Sequence, residues 1–251
     1  MDLMTIMGLM VGVAAVWFVL ASGGIMGMLF NINAAILVFG GVFGATLITY
    51  PWRLIKRIPK GVWLMFFPLR IDLPSDIIKV FETCSKRIHK EGISTGLLEV
   101  IPSRNKFFVK AINFLVDGFE DDFIRETMEN EIDNFKKRHN QAADVFKSMG
   151  AYAPIFGLLG TLIGVVQVLQ NLTDPASMGA SMAIAITTTF YGIFSTNFLF
   201  LPIAGKLSVH TNRETLIKEL VIEGTSGLKK GEIPSILRHR LQSFLADYEK
   251  K

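Results

Sequence analysis

Two apolar runs of the chain carry small and hydroxyl residues at helical spacing. In the first run, Gly157, Gly160, Thr161 and Gly164 fall at i, i+3, i+4 and i+7 and share one helix face. The second run carries Ala185, Thr189, Gly192 and Thr196 on one face, with Thr187 and Thr188 beside it. Hydroxyl oxygens are hard ligands that suit a small cation. The two faces therefore predict either close helix packing, which small residues favour in membranes, or a cavity that receives another helix or a hydrated ion.

A proline stands close to one end of each of these runs. Pro154 lies near the start of the first, and Pro202 lies near the end of the second. Each proline removes a backbone donor and can bend a helix. The two bends are expected at the same membrane face, where they serve packing or relay motion out of the membrane.

The apolar runs contain no Asp, Glu, His, Lys or Arg. A cation site or proton relay inside a membrane usually needs such a residue. If this protein conducts ions by binding them, the carboxylate must therefore come from another chain. The sequence also has no phosphate-binding loop and no His or Cys at metal-ligand spacing, so neither an enzyme active site nor a bound cofactor is predicted.

The distribution of charge predicts how the chain crosses a membrane. All 26 Lys and Arg residues lie within 51–147 and 206–251, and the remaining stretches hold two acidic residues, Asp2 and Asp174. One span needs about 20 apolar residues, so each uncharged stretch can cross twice. The predicted spans are Leu3–Ala21, Ile32–Tyr50, Ala151–Leu169 and Met182–Leu201. Since Lys and Arg collect in cytoplasmic loops, both termini are expected in the cytoplasm, and the net charge of +4 does not indicate nucleic acid binding.

The predicted fold is all-α, a polytopic membrane protein with four transmembrane helices. Residues 1–50 form helices 1 and 2, residues 51–147 a cytoplasmic helical domain with an interfacial start, residues 148–207 helices 3 and 4, and residues 208–251 a helical tail broken around Gly224–Pro234. No Pro or Gly occurs between Phe119 and Met149, and apolar residues recur there at spacings of three and four. This pattern predicts one long helix that continues into the third span, with His139 packed on its apolar stripe.

This layout resembles the family of A subunits of the bacterial flagellar motor stator, which comprises MotA and its sodium-driven counterpart PomA. The segments that carry the resemblance are Leu115–Gly118, Ala153–Gly157, Gly160–Val165, Thr188–Gly192 and Leu201–Leu207. The resemblance implies a ring of A subunits, taken as five, in the bacterial inner membrane around B subunits. Each B subunit has a single span with an ion-binding Asp and a peptidoglycan-binding domain. Ion passage would rotate the A ring about a dimer of B subunits, and the cytoplasmic domain would drive the flagellar rotor switch protein.

The resemblance also implies roles for individual residues. Thr161 matches the family's third-span threonine that faces the ion path, and Thr188 and Thr189 are the ion-path threonines expected in the fourth span. Pro154 and Pro202 match two prolines that couple conformational change. Thr188 stands where sodium-type members carry an additional threonine, which favours Na⁺ over H⁺ as the coupling ion.

The expected rotor contact departs from the family pattern. The family has an Arg three residues before the glycine that matches Gly92 and a Glu five residues after it, whereas this chain has His89 and Leu97. The charged residues nearby are the expected substitutes, namely Lys86, Arg87, Lys90 and Glu99. A solvated helix face is the alternative interpretation of this cluster.

Two other classes of function remain open at this point. An ion-driven energiser of envelope processes resembling the ExbB/TolQ group shares the paired small-faced helices, but that group generally has three spans. A passive membrane scaffold or a self-sufficient channel is the other alternative. A channel is expected to pass ions when reconstituted alone, whereas a stator A subunit is not.

Overall fold

The computed structural model of the 251-residue chain describes residues 3–24, 26–67, 72–101, 105–170 and 175–245. In these ranges all regular structure is helical, which confirms the all-α prediction. The chain divides into two compact units. The membrane unit comprises Met1–Leu69 and His139–Val209, and the charged unit comprises Arg70–Arg138 and His210–Lys251. Asp2 and Asp174 lie outside the described residues.

The first part of the membrane unit is a series of helices, of which the third, the π-helical segment and the fourth follow one another without a gap. They are α1 (Leu3–Ser22), α2 (Met26–Leu29), α3 (Ile32–Ala35), a π-helical segment (Ile36–Gly40), α4 (Gly41–Thr49), α5 (Trp52–Ile55) and α6 (Ile58–Phe66). The helices of the charged unit and those that follow are α7 (Pro74–Glu91), a 3₁₀ turn (Thr95–Glu99), α8 (Lys106–Val116), α9 (Asp121–Gln170), α10 (Pro175–Ser195), a second π-helical segment (Thr196–Phe200), α11 (Leu201–Lys229) and α12 (Pro234–Gln242).

Within the described parts of the chain, four helical stretches are long and apolar enough to cross a membrane. They are Leu3–Ser22, Ile32–Thr49 and parts of the long helices Asp121–Gln170 and Met178–Lys229. Trp17 and Phe18 in α1 are exposed, as are Leu158 and Leu162 in α9. Helices that carry large apolar side chains outward are suited to hydrocarbon rather than water. The four predicted spans are therefore present, and the chain is a multi-pass membrane protein.

The core of the membrane unit lies near the end of its second span. Val42 of α4 packs with Phe146 and Met149 of α9 and with Phe200 and Ile203 of the fourth span and its continuation. Two tyrosines add hydrogen bonds between the second span and α9. The Tyr50 hydroxyl lies 2.7 Å from the Ser148 hydroxyl, and the Thr49 hydroxyl lies 2.9 Å from that of Tyr152.

The charged unit has a larger apolar core. Helix α7 buries Ile77, Phe81 and Cys84 on one face, and Phe81 stacks on Phe108 of α8 with 4.6 Å between ring centroids. Burial raises the pKa of the Cys84 thiol to about 11, although the nearby charge of Arg87 acts in the opposite direction. The apolar periodicity of these short helices thus produces the hydrophobic cluster expected of a water-exposed helical domain.

The structure confirms two predictions about the later helices and corrects a third. Helix α9 does run without a break from Asp121 to Gln170. Helix α11 ends at Lys229 and α12 begins at Pro234, so the break of the tail falls within the predicted range Gly224–Pro234. Gly224 itself lies within α11. It leaves room for the ring of Phe81, because a Cβ at this position would lie 2.5–2.6 Å from that ring. His139 is exposed rather than packed, while Ala143 close by is buried.

Candidate ion-path and coupling site

The small faces of the third and fourth spans pack against each other within the membrane unit. A Cβ on Gly157 of α9 would lie 3.0 Å from the Thr188 carbonyl oxygen and 3.1 Å from the Thr189 Cα in α10. A Cβ on Gly164 would lie 2.6 Å from the Cβ of Ala185. These glycines therefore let the two backbones approach closely, as small residues do between helices in lipid.

Thr188 lies inside this helix pair. Its side chain is fully buried, its hydroxyl donates to the Ala185 carbonyl at 2.8 Å, and it fills the space above Gly160 so completely that a Cβ there would overlap it. A donated hydroxyl keeps oxygen lone pairs that can still accept. In the described chain, however, access to that oxygen requires α9 and α10 to separate.

The other two predicted ion-path threonines are more accessible. Thr161 is half-buried, and its hydroxyl donates to the Leu158 carbonyl of its own helix at 2.6 Å. Thr189 is also half-buried and reaches across to α9, where its hydroxyl donates to the Gly157 carbonyl at 3.3 Å. Both oxygens keep acceptor capacity toward a cation or water. The geometry thus offers hydroxyl ligands at two partly open positions and one closed position.

Each of the two predicted coupling prolines is accompanied by a distinct backbone feature. Pro154 lies within α9 and faces a close approach from α10, because a Cβ on Gly192 would lie 2.5 Å from the Ala153 carbonyl oxygen and 3.2 Å from the Pro154 Cα. Pro202 lies two residues after Phe200, the last residue of the π-helical segment Thr196–Phe200. Proline has no backbone N–H to donate, and its ring crowds the carbonyl of the preceding turn. A widened, π-helical turn just before Pro202 relieves this crowding.

Pro202 also borders a groove of about 310 Å³ on the membrane unit. Met4, Thr5 and Gly8 of α1 line one side, and Asn197, Phe198 and Lys206 line the other. The Lys206 ammonium donates to the Thr5 hydroxyl at 3.0 Å, which links α1 to the helix that follows the fourth span.

The predicted rotor-contact residues occupy the end of α7 and the 3₁₀ turn after it. Arg87 and Glu99 form an ion pair with 3.3 Å between Nη1 and Oε2, and the Glu99 side chain is largely exposed. Lys86 and Lys90 are exposed on α7. Two of the four charges thus face each other, and the two lysines face outward.

Gly92 caps the end of α7, and the residue that departs from the family pattern after it, Leu97, lies in a different environment from a surface charge. Its φ of +78° lies in the left-handed region, which a residue without a side chain adopts most easily. Leu97, at the position where the family has Glu, is buried in the core of the charged unit. A charge at that position would be buried in this chain, whereas Glu99 reaches the surface.

A cleft between α7 and α12 was not predicted from the sequence. It measures about 370 Å³ and is lined by Glu82, Lys86, Arg238 and His239 among others. Arg238 pairs with Glu82 at 3.3 Å. The only sequence signal for it was the basic composition of the tail, which does not reveal that α12 packs on α7.

A network of charges holds α11 to its neighbours in the charged unit. Glu223 pairs with Arg125 of α9 at 2.8 Å and with Arg240 of α12 at 3.1 Å. Burial alone would raise the pKa of Glu223, but the hydrogen bonds and charges of the two arginines outweigh it, so that this pKa lies below its ordinary value. Within the described residues, no group of three or more His, Cys, Asp or Glu side chains is arranged to hold a metal ion.

Curated relatives match the chain over nearly its whole length. It is 34% identical to the chemotaxis protein PomA of Vibrio alginolyticus, over 98% of this chain and 96% of that protein. It is 33% identical to motility protein A of Borreliella burgdorferi, over 98% of this chain and 94% of the relative. The chain belongs to the MotA/PomA family. Residues 101–220 also match the broader group described as the MotA/TolQ/ExbB proton channel family, and that segment contains all five predicted membrane site residues.

Solved structures agree with this membership in the MotA/PomA family. The flagellar MotAB stator complex from Bacillus subtilis has a chain that superimposes with a TM-score of 0.86 at 25% identity, covering 100% of this chain and 97% of that one. A chain of MotAB from C. jejuni gives a TM-score of 0.88 at 24% identity, with 98% and 97% covered, which shows the shared fold. The full-length matches and four candidate spans favour a MotA/PomA protein over a three-span ExbB/TolQ-like energiser.

Proposed function

We propose that this chain is the A subunit of a flagellar stator, an ion-driven torque generator that forms an ion-conducting unit with a B subunit. The observation that carries the proposal is the full-length similarity to motility proteins whose family fold occurs in stator complexes. The site chemistry is consistent with it. Thr161 and Thr189 offer hydroxyl oxygens, but no ionisable side chain lies inside the spans.

The missing carboxylate defines what the B subunit must contribute. A cation that leaves water for a membrane site needs compensating negative charge, which hydroxyl groups alone do not supply. An Asp on a single span of the B subunit, placed beside α9 and α10, would complete the site. The A subunits would surround the B subunits as a ring of five. The B subunits would be held in place by their attachment to peptidoglycan.

The coupling ion in this proposal is Na⁺. Na⁺ passage needs several oxygen ligands, whereas a proton needs only one acceptor, and the chain supplies hydroxyls at Thr161, Thr188 and Thr189. Swimming speed that rises with Na⁺ at constant pH and survives a protonophore would support this choice. Swimming that persists without Na⁺ and stops with a protonophore would overturn it.

Torque would pass to the rotor switch protein through the charged unit, on the cytoplasmic side of the inner membrane. Lys86 and Lys90 are exposed and available for this contact, while Arg87 and Glu99 would first have to exchange their mutual ion pair for partners on the rotor. Exposed pairs are weak, so such an exchange costs little.

A deletion strain tests the proposal. Cells that lack the chain are expected to carry assembled filaments, visible by electron microscopy, and yet not to swim until the wild-type gene is restored. Normal swimming combined with a defect in uptake or envelope integrity would contradict the proposal and favour the energiser function.

A further inference from the structure

The proline inside α9 leaves one backbone carbonyl without its usual donor. In a regular helix the carbonyl of Gly150 would accept from the backbone N–H of residue 154, but Pro154 has none. A polar group without a partner is costly in an apolar span. The chain must therefore satisfy the Gly150 carbonyl in another way.

The fourth span supplies the replacement donor. The Thr196 hydroxyl lies 3.0 Å from the Gly150 carbonyl oxygen of α9 and 2.9 Å from the Gly192 carbonyl oxygen of its own helix. Thr196 is buried. A hydroxyl carries a single proton, so the two carbonyls share it or receive it in turn. The bond within its own helix holds the side chain in the orientation that also reaches α9.

The surrounding backbone leaves little freedom for this contact to shift. A Cβ on Gly150 would lie 3.1 Å from Cδ2 of Leu201 and 3.5 Å from Cβ of Phe200, and Gly192 approaches Ala153 as described above. Thr196 is also the first residue of the π-helical segment, in which the backbone N–H of Leu201 donates to the Thr196 carbonyl. Thr196 thus lies between the turn disrupted by Pro154 and the widened turn before Pro202.

We propose that Thr196 is a positioning residue, which supplies from the fourth span the hydrogen-bond donor that Pro154 removes from the third. This link holds the two proline-containing segments in register beside the candidate ion path. Its role in torque rests on the proposed function, but the hydrogen bond itself can be tested without it.

A double-mutant cycle tests the hydrogen bond between Thr196 and Gly150. The chain is purified together with the subunits bound to it in the membrane, and Tm is measured for each variant. Thr196→Val removes the hydroxyl at nearly constant volume and is expected to lower Tm by about 2–4 °C, whereas Thr196→Ser is expected to retain stability. In a Pro154→Ala background, the new N–H can donate to the Gly150 carbonyl, so the Thr196→Val loss should shrink markedly.

Thr46→Val is the matched control for this cycle. Thr46 is buried in the same unit, and its hydroxyl donates to the Val42 carbonyl of its own helix at 2.7 Å. Its effect on Tm should be the same in both backgrounds. An equal Thr196→Val loss in both backgrounds would overturn the link. If Pro154→Ala does not accumulate, equal losses for Thr196→Val and Thr196→Ser would overturn it as well.

Measurement of motor speed distinguishes a positioning role of Thr196 from a role in stability alone. At wild-type membrane levels, Thr196→Val is expected to slow the motor and Thr196→Ser to restore it. Unchanged speed for Thr196→Val would overturn the positioning role. A deletion strain that swims normally would contradict the proposed function and leave the stability cycle intact.

Discussion

In the membrane unit the third and fourth spans approach each other backbone to backbone at their small residues. In the charged unit, large side chains interlock and ion pairs join the outer faces of the helices. Gly157 and Gly192 bring α9 and α10 together with little side-chain material between them. In the charged unit, by contrast, Phe81, Phe108 and Met128 are fully buried. The two units therefore hold their helices together by different kinds of contact.

The difference follows from the solvent. In lipid, apolar side chains gain nothing by leaving the hydrocarbon, so close backbone approach and hydrogen bonds hold helices together. In water, burial of apolar area provides the main stabilisation. Adding atoms should thus damage the membrane unit most, and removing atoms should damage the charged unit most.

The largest effect is expected from Phe81→Ala in the charged unit. The ring is fully buried and stacks on Phe108, so its removal should cost about 3–5 kcal/mol. Cys84 is a built-in reporter, because its buried thiol should resist maleimide in the wild type and react faster in the variant. Phe123→Ala, at a half-exposed phenylalanine, is the control and should leave the labelling rate nearly unchanged.

Gly192→Ala tests the membrane unit by adding one atom. The new Cβ would meet the Ala153 carbonyl oxygen at 2.5 Å, so overpacking should cost about 3 kcal/mol and reduce the amount of assembled protein in membranes. Gly205→Ala is the matched control, since nothing lies within 4 Å of its added Cβ. Equal membrane levels for the two variants would contradict the close packing of α9 and α10.

Glu223→Gln should have a smaller effect that depends on pH. The pKa of the Glu223 carboxyl is lower in the folded state than its ordinary value of 4.5. The ionised group therefore stabilises the fold at pH values above 4.5, and this contribution is lost as the pH falls through the folded-state pKa. At neutral pH we expect a loss of about 1–2 kcal/mol in urea unfolding. The difference between wild type and variant should shrink below pH 4.5. A difference that persists unchanged in acid would rule out the charge of Glu223 as its source.

The smallest effect on stability is expected from reversing the charges of Arg87 and Lys90. The Arg87–Glu99 pair lies at the surface, and such pairs contribute about 0–1 kcal/mol. If these charges meet the rotor, the double reversal Arg87→Glu with Lys90→Glu should reduce torque in a tethered-cell assay while protein levels stay normal. Lys137→Glu, at an exposed lysine of α9, is the control. Undiminished torque would remove both residues from the rotor contact.

Much of the fold could be predicted from local pattern. The absence of Lys and Arg from two stretches predicts the spans, and the uninterrupted periodicity from Phe119 to Met149 predicts the long helix α9. These features are properties of single segments, so the sequence reports them directly. Gly224 shows the limit, because a glycine that elsewhere ends helices here makes room for the ring of Phe81, which is far away in sequence.

The candidate site was harder to predict from the sequence, because it too depends on contacts between distant segments. The helical faces that carry Thr188 and Gly160 could be assigned, but their burial against each other depends on the register of α9 and α10. The link from Thr196 to Gly150 joins residues 46 positions apart and exists only in that register. The cleft between α7 and α12 likewise depends on how the tail packs.

The central claim is that this chain provides the hydroxyl-lined helices of an ion path whose carboxylate belongs to a partner. The most direct test is ion flux into proteoliposomes that contain the chain alone, the chain with its B subunit, or the chain with a B subunit whose membrane Asp is changed to Asn. We expect flux only with the intact B subunit. Flux through the chain alone, or undiminished flux with the Asn variant, would contradict the claim.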